Sequence, residues 1–155
     1  MSVRIQGFRP ELAPHFERLN LEWLERYFQV ESIDREVLGN PQKSVMAAGG
    51  DILFASLDDQ IVGCCALKHQ GDGVFELTKM AVTGAAQGHG IGRTLIGAVL
   101  ERYSELGGVQ LYLESHDSLV AALKLYESVG FKHQKCDGTS PYARCNVRME
   151  YLPQD

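Results

Sequence analysis

The chain lacks any run of basic residues, and its 15 Lys and Arg are outnumbered by 20 Asp and Glu, a formal net charge of −5 over 155 residues. Nucleic-acid binding draws on a clustered positive footprint, so DNA and RNA are excluded as expected partners. Long hydrophobic runs are missing too. The most apolar stretch, residues 61–67, falls far short of the ~20 residues that cross a bilayer. Residues 1–7 contain no apolar core of a secretory signal. The expectation is a cytoplasmic protein with neither a membrane nor a nucleic-acid partner.

Cysteine is sparse and carries no metal-binding pattern. Cys64 and Cys65 are adjacent and would point to opposite faces of a strand. Cys136 and Cys145 lie nine apart, and no C-x-x-C pair exists. His15, His69, His89, His116 and His133 add no ligand spacing, so no metal site is expected. The thiols read as free, as a reducing compartment would keep them.

What is present is an ordinary globular balance, 45% apolar and 23% charged, enough for one core and one domain over residues 1–155. Residues 3–8 read as a strand. Leu12, Phe16, Leu19, Trp23, Leu24, Tyr27 and Phe28 repeat at offsets of three and four, which predicts an amphipathic helix over 11–28. Ser32 is positioned to cap a short helix over 33–38 that stops at Gly39-Asn40-Pro41. The period then shortens. Residues 51–57 and 60–69 flank Asp58-Asp59 as a hairpin, and 74–82 form a further strand. A Gly-rich loop over 83–90 precedes a helix over 91–106 that ends at Gly107-Gly108. A strand over 109–114, a helix over 118–129 and strands over 131–135 and 143–152 complete the chain. Strands and helices are interleaved without strict alternation, which points to an α+β fold.

The chemistry concentrates in Gln87-Gly88-His89-Gly90-Ile91-Gly92-Arg93, between a predicted strand and a predicted helix. Such a turn presents backbone N–H groups at the positive end of a helix dipole and suits a phosphate. A P-loop is excluded because no Gly-Lys-Ser/Thr occurs. A dinucleotide fingerprint fails because its third glycine would fall on Arg93 or Leu95. What remains is Q-x-x-G-x-G, made by Gln87, Gly90 and Gly92. A second motif follows at 122–131: Ala122, Leu125, Tyr126, Gly130 and Phe131 spell A-x-x-L-Y-x-x-x-G-F.

The two motifs, in this order and separated by a strand, resemble the GNAT superfamily of N-acetyltransferases, over residues 60–131 most fully. The resemblance implies an acyl-CoA N-acyltransferase fold: a mostly antiparallel sheet, splayed between two parallel strands (74–82 and 109–114) and flanked by about four helices. It implies acetyl-CoA as cosubstrate, with pyrophosphate on the N–H groups of residues 87–93 and pantetheine along the backbone of Met80, Ala81 and Val82. Many relatives carry Asn seven residues before the motif tyrosine; this chain has Leu119, with Ser118 beside it as a helix cap.

The implied activity is transfer of an acetyl group to a primary amine, of a small molecule or a protein, by direct attack in a ternary complex. Nothing in the sequence speaks against a homodimer. The alternative is a non-catalytic CoA-binding sensor or regulatory module on the same fold. Tyr126 holds the family's tyrosine position, where a phenol would protonate the departing thiolate; its spacing to Leu119 and Leu123 equally suits a core aromatic. Glu76 is the candidate base for the substrate ammonium, or else a solvated strand-start charge, or one half of an ion pair with Lys79 or Lys68. On a regular strand it would share a face with Thr78, Met80 and Val82. A backbone N–H near Val82 would stabilise the oxyanion. His89 either touches a phosphate or is an exposed loop residue, and Arg93 at a helix start makes sense beside an anion. Tyr142, Arg144 and Arg148 read as solvating the last hairpin rather than binding a substrate carboxylate.

Overall fold

The computed structural model describes residues 2–136 and 138–153. Among them, seven strands form one sheet: β1 (Val3–Gly7), β2 (Asp51–Leu57), β3 (Gln60–His69), β4 (Val74–Val82), β5 (Gln110–Ser115), β6 (Phe131–Gln134) and β7 (Val147–Tyr151). Their spatial order is β1-β2-β3-β4-β5-β7-β6. All neighbours are antiparallel except β4 and β5. Helices α1 (Ala13–Tyr27), α2 (Ser32–Gly39), α3 (Ile91–Glu105) and α4 (Val120–Val129) complete the α+β architecture that the sequence anticipates.

Strand alternation divides the apolar side chains between two cores. Leu53, Cys65, Leu67, Phe75, Leu77, Leu111 and Leu113 pack against α3 and α4. Ile52, Phe54, Cys64 and Ala66 pack on the other face, against Phe16, Leu19 and Leu24 of α1 and Leu38 of α2. Adjacent Cys64 and Cys65 therefore lie in different cores, both as free thiols. Burying a side chain such as Phe16 or Leu95 contributes roughly 1.5–3 kcal/mol, which seats the helices firmly on the sheet. The β2–β3 hairpin closes through Asp58 and Asp59, both at positive φ (50° and 67°), the turn that matches strand twist.

Two irregularities shape the site. Strands β4 and β5 pair only through Val74–Gln110, Phe75–Leu111 and Glu76–Tyr112. Beyond these pairs the strands part, and β4 faces an open V. The second irregularity is a bulge in β4. Ala66 is opposite Thr78 and Cys64 opposite Ala81, so Lys79 and Met80 together face Cys65, and Lys79 takes φ 56°. The extra residue reverses the faces. Phe75 and Leu77 precede it in the α3 core, Met80 and Val82 pack on that same core after it, and Ala81 turns to the α1 side. Glu76 thus does not share a face with Met80 and Val82, contrary to the expectation from a regular strand.

Several boundaries also differ from the sequence reading. Glu31, not Ser32, caps α2, because Glu31 and Asp34 form a reciprocal capping box. A π-type turn over Gln42–Met46 follows α2. Strand β5 starts at Gln110, since Val109 is 75% exposed, and β7 starts only at Val147. The stretch before β7 leaves the sheet because Tyr142 is buried against it and Arg144 is tied to α2.

Candidate active site

An outer groove of about 690 Å³ runs past the start of α3, lined among others by Trp23, Tyr27, Gly88, Gly90, Arg93 and Val120. Gly88 (φ 88°) and Gly90 (φ 74°) hold left-handed conformations, and Gly90 is the N-cap of α3. A Cβ at either position would meet nothing within 4 Å, so glycine serves the backbone turn and leaves its N–H face open. Gly92 differs: a Cβ there would come within 3.3 Å of Leu125, which keeps α3 and α4 close. Gln87 donates from Nε2 to the Val82 carbonyl at 3.3 Å, tying the loop to the end of β4. His89 lies apart, lining a separate depression with His15, Arg18 and Asp58.

The groove continues inward. Trp23, Val82, Gln87, Leu119 and Ala122 line both the groove and an inner cavity of about 240 Å³ in the V between β4 and β5. Leu119 is the N-cap of α4 and supplies no side-chain cap. Ser118 is not a cap either, since its N–H and hydroxyl both engage His116 Nδ1, at 3.0 and 2.7 Å. Met80, Ala81 and Tyr126 line the same cavity. The Tyr126 ring meets Phe131 edge-on at 6.0 Å, and burial, with the nearby Cys65, pushes its phenol above the usual range.

At the far end of the cavity the lining turns polar. Glu76 is only 8% exposed, and Gln70 Nε2 donates to its Oε1 at 3.2 Å. Burial raises its carboxyl pKa, as does the neighbouring Glu114 charge, against the pull of Lys68 and Lys79. Lys79 does not pair with Glu76. Its Nζ donates to Asp34 at 3.0 Å and to the Tyr142 hydroxyl at 2.8 Å. Arg144 grips both oxygens of Asp34 at 2.8 Å, reaches Glu31 at 3.0 Å and lies over the Tyr142 ring at 4.6 Å. Burial would raise the Asp34 carboxyl, but Arg144, the Glu31 N–H and Lys79 outweigh it and hold it at about 2.

Tyr142 and Arg144 are therefore structural walls of the cavity, not a solvated hairpin. Arg148 is not simply solvated either: it stacks over Tyr112 at 4.1 Å and lies 3.7 Å from Glu114. The sequence reading missed the Asp34–Lys79–Arg144–Tyr142 cluster. Its one visible trace is a lysine inside an otherwise apolar strand end, between Thr78 and Met80.

A sheet split between two parallel strands, with a glycine-opened helix start at the mouth of the split, defines the acyl-CoA N-acyltransferase fold. Residues 15–131 match the family described as Acetyltransferase (GNAT). The chain belongs to that family and is by class an acyl-CoA-dependent N-acetyltransferase. It is 27% identical over 138 residues to an uncharacterized N-acetyltransferase of Schizosaccharomyces pombe, covering 86% of this chain and 81% of that one. Its fold is similar to that of a GNAT-family acetyltransferase of Staphylococcus aureus (TM-score 0.85, 20% identity, 96% of this chain and 98% of that one). It is also similar to the PaiA N-acetyltransferase of Thermoplasma acidophilum, solved in complex with coenzyme A (TM-score 0.76, 20% identity, 97% and 98% covered). No helix among the described residues is long and apolar enough to cross a membrane.

Proposed function

We propose that the protein transfers the acetyl group of acetyl-CoA to a primary amine, both held together in the split between β4 and β5. The observation that carries this is the continuous path from the glycine-opened start of α3, along β4, to Tyr126 and Glu76 in one cavity. The residues present fit acetyl-CoA. The open backbone at Gly88 and Gly90, with the dipole of the 15-residue α3, suits a pyrophosphate. Arg93 beside it adds a positive charge, Ile91 and Gly92 complete the first turn, and Gln87 braces the loop. His89 contributes its backbone only, since its ring lines another depression. The edge of β4 at Met80, Ala81 and Val82, free of β5, is available to the amides of pantetheine. Leu119 offers an apolar contact there and no amide.

Bound acetyl-CoA supplies an acyl carbon activated as a thioester. Glu76 takes the proton of the acceptor ammonium, directly or through water. Its raised pKa brings it nearer that task than an ordinary carboxylate. A backbone N–H near Val82 steadies the carbonyl oxygen as charge grows on it. Tyr126, kept protonated by burial, gives its proton to the departing sulfur. Holding donor and acceptor in register supplies much of the rate.

Calorimetry with acetyl-CoA together with a thiol-release assay over a panel of amines tests the reading. Acetyl-CoA binding with amine-dependent thiol release is expected. Tight binding without release for any acceptor would assign a CoA-binding module instead.

Two substitutions address the parts. Gly90→Asp adds a carboxylate at the open helix start, and acetyl-CoA affinity is expected to fall about tenfold or more, as like charge at an anion site costs on the order of 1–2 kcal/mol. Unchanged affinity would remove the phosphate from this loop. Glu76→Gln should slow turnover by about 10²-fold at neutral pH, the lower end of the general acid–base range, and recover as the pH nears the amine pKa of ~10, where free amine needs no base. In the wild type, the rate should decline as falling pH protonates Glu76, at a higher pH than for an exposed glutamate. A loss independent of pH would make Glu76 a positioning residue.

A further inference from the structure

A polar side chain sits where α1 is otherwise apolar. Asn20 is 2% exposed, among Phe16, Leu19 and Leu24, which pack in the core on the α1 face of the sheet. An amide buried there is costly unless its polar atoms find partners. Its Nδ2 finds two: it donates to the Phe16 carbonyl at 2.9 Å and to Cys64 Sγ at 3.3 Å. Burial pushes the Cys64 thiol up to about 12, so the sulfur keeps its proton and donates in turn to the Lys79 carbonyl, at the bulge, at 3.6 Å. Both hydrogens of the amide are thereby spent, and the orientation of the group is fixed. Reversed, its oxygen would face the Phe16 carbonyl.

The carbonyl oxygen, Oδ1, is left. No group among the described residues donates to it. It is not sealed in the core, since the one buried side-chain atom without a hydrogen-bond partner among those residues belongs to Glu114. Asn20 lines the inner cavity, so Oδ1 opens there, an acceptor without a donor. The face on which it opens is informative. Phe75 and Leu77 lie in the α3 core, so Glu76 between them projects to the α1 face. Ala81, beyond the bulge, packs on that same face in register with Cys64. Asn20 holds Cys64, so Oδ1 enters the cavity on the Glu76 face, at the level of Ala81. Asn20 does not line the outer groove at the glycines. The donor that Oδ1 meets therefore lies on the acceptor side.

We propose that Asn20 Oδ1 accepts an N–H of the attacking nitrogen and thereby selects amines over alcohols and thiols. This deepens the acetyl-transfer reading and rests on it. A primary ammonium that has given one proton to Glu76 keeps two N–H bonds. One of them donates to Oδ1, which turns the lone pair towards the acyl carbon and lowers the orientational cost of attack. An alcohol or a thiol has a single hydrogen. Once the base takes it, the bare oxygen or sulfur presents only lone pairs to a carbonyl oxygen, which repels them.

The test compares n-butylamine with n-butanol as acceptors, in the wild type and in Asn20→Leu. Leucine keeps the branched shape and suits the apolar neighbours, so the fold should hold, checked by thermal melting, and Asn20→Ala serves as the second variant. In both variants kcat/KM for n-butylamine should fall by about tenfold or more, the scale of a hydrogen bond to a charged group. The amine-to-alcohol ratio should fall by the same factor, with acetyl-CoA affinity unchanged. Unlike the Glu76→Gln defect, this one should persist as the pH nears the amine pKa of ~10, because an amide does not titrate. An amine-to-alcohol ratio unchanged in both variants would overturn the proposal while leaving acetyl transfer intact. So would a weakened acetyl-CoA affinity with unchanged amine kinetics, which would give Oδ1 to a pantetheine amide. Calorimetry of n-butylamine on the CoA-loaded protein reads the contact without turnover, and weaker binding in Asn20→Leu is expected. Should no amine release thiol, acetyl transfer fails, and equal n-butylamine binding in wild type and variant would overturn the Asn20 contact separately.

Discussion

Replacing Tyr126 with phenylalanine is expected to cut turnover by about 10²–10⁴-fold, the range of general acid catalysis, with acetyl-CoA affinity and melting temperature close to wild type. The ring stays, and with it the edge-on contact to Phe131. Only the hydroxyl goes, and burial rather than a hydrogen bond sets its acidity, so no buried partner is orphaned. Affinity is spared because the proton is needed as the carbon–sulfur bond breaks and not when the thioester binds. A phenol whose pKa is pushed up stays protonated at every working pH, as a donor must. The defect should shrink for acyl donors whose thiols are more acidic, since their thiolates leave without help. The readout is the dependence of kcat on leaving-group pKa, which should steepen in the variant. A rate within about a factor of three of wild type across such donors, far below the general-acid range, would make Tyr126 a core residue and pass proton donation to water.

Much of this arrangement can be read from the chain, for reasons that are local. Glycines 88, 90 and 92 and the tyrosine at 126 sit in contiguous motifs, so their spacing survives in one dimension, and the strand limits of β2, β3 and β4 follow from alternation and turn chemistry. The bulge at Lys79 is invisible to alternation, because one inserted residue leaves the composition of β4 unchanged while reversing the face of everything after it. The charged cluster was unreadable for a different reason. Asp34 and Lys79 are 45 positions apart, and Asp34 and Arg144 are 110 apart, so no periodicity links them. Arg144 reads as a surface loop residue until α2 is packed beside it. Glu114 is the same case: its chain position says strand, and only the splay from β4 gives it a cavity to face.

Asp34→Asn is expected to be the most destabilising single polar substitution near the site, by about 3–5 kcal/mol, the cost of breaking a buried ion pair on one side. Asp34 is fully buried and accepts from Lys79, from both arms of Arg144 and from the Glu31 N–H. An asparagine presents an NH₂ to two cations, and Lys79 keeps only the Tyr142 hydroxyl. At roughly 2–4 °C per kcal/mol for a chain of this size, the melting temperature should fall by about 10 °C. The pH dependence separates this from a loss of packing. In the wild type the Asp34 carboxyl sits at about 2 against an ordinary 3.8. Between those values the unfolded chain holds more protons, so stability should drain away as pH falls from about 4 to about 2. That loss disappears in the variant. On the alkaline side the slope should steepen instead. Burial already lowers the Lys79 pKa, and the Asp34 charge is what opposes this. Without it, the unfolded chain binds a proton on Lys79 that the folded chain sheds, so the variant should regain stability as the pH rises towards the ordinary lysine value of ~10.4. Thermal melts of both proteins from about pH 2 to about pH 10, spanning the Asp34 and Lys79 windows, make the comparison. A loss of under about 1 kcal/mol, the scale of an exposed ion pair, with the same acid slope in both, would show that solvent screens the cluster and that it does not hold the Tyr142–Arg144 loop over the cavity.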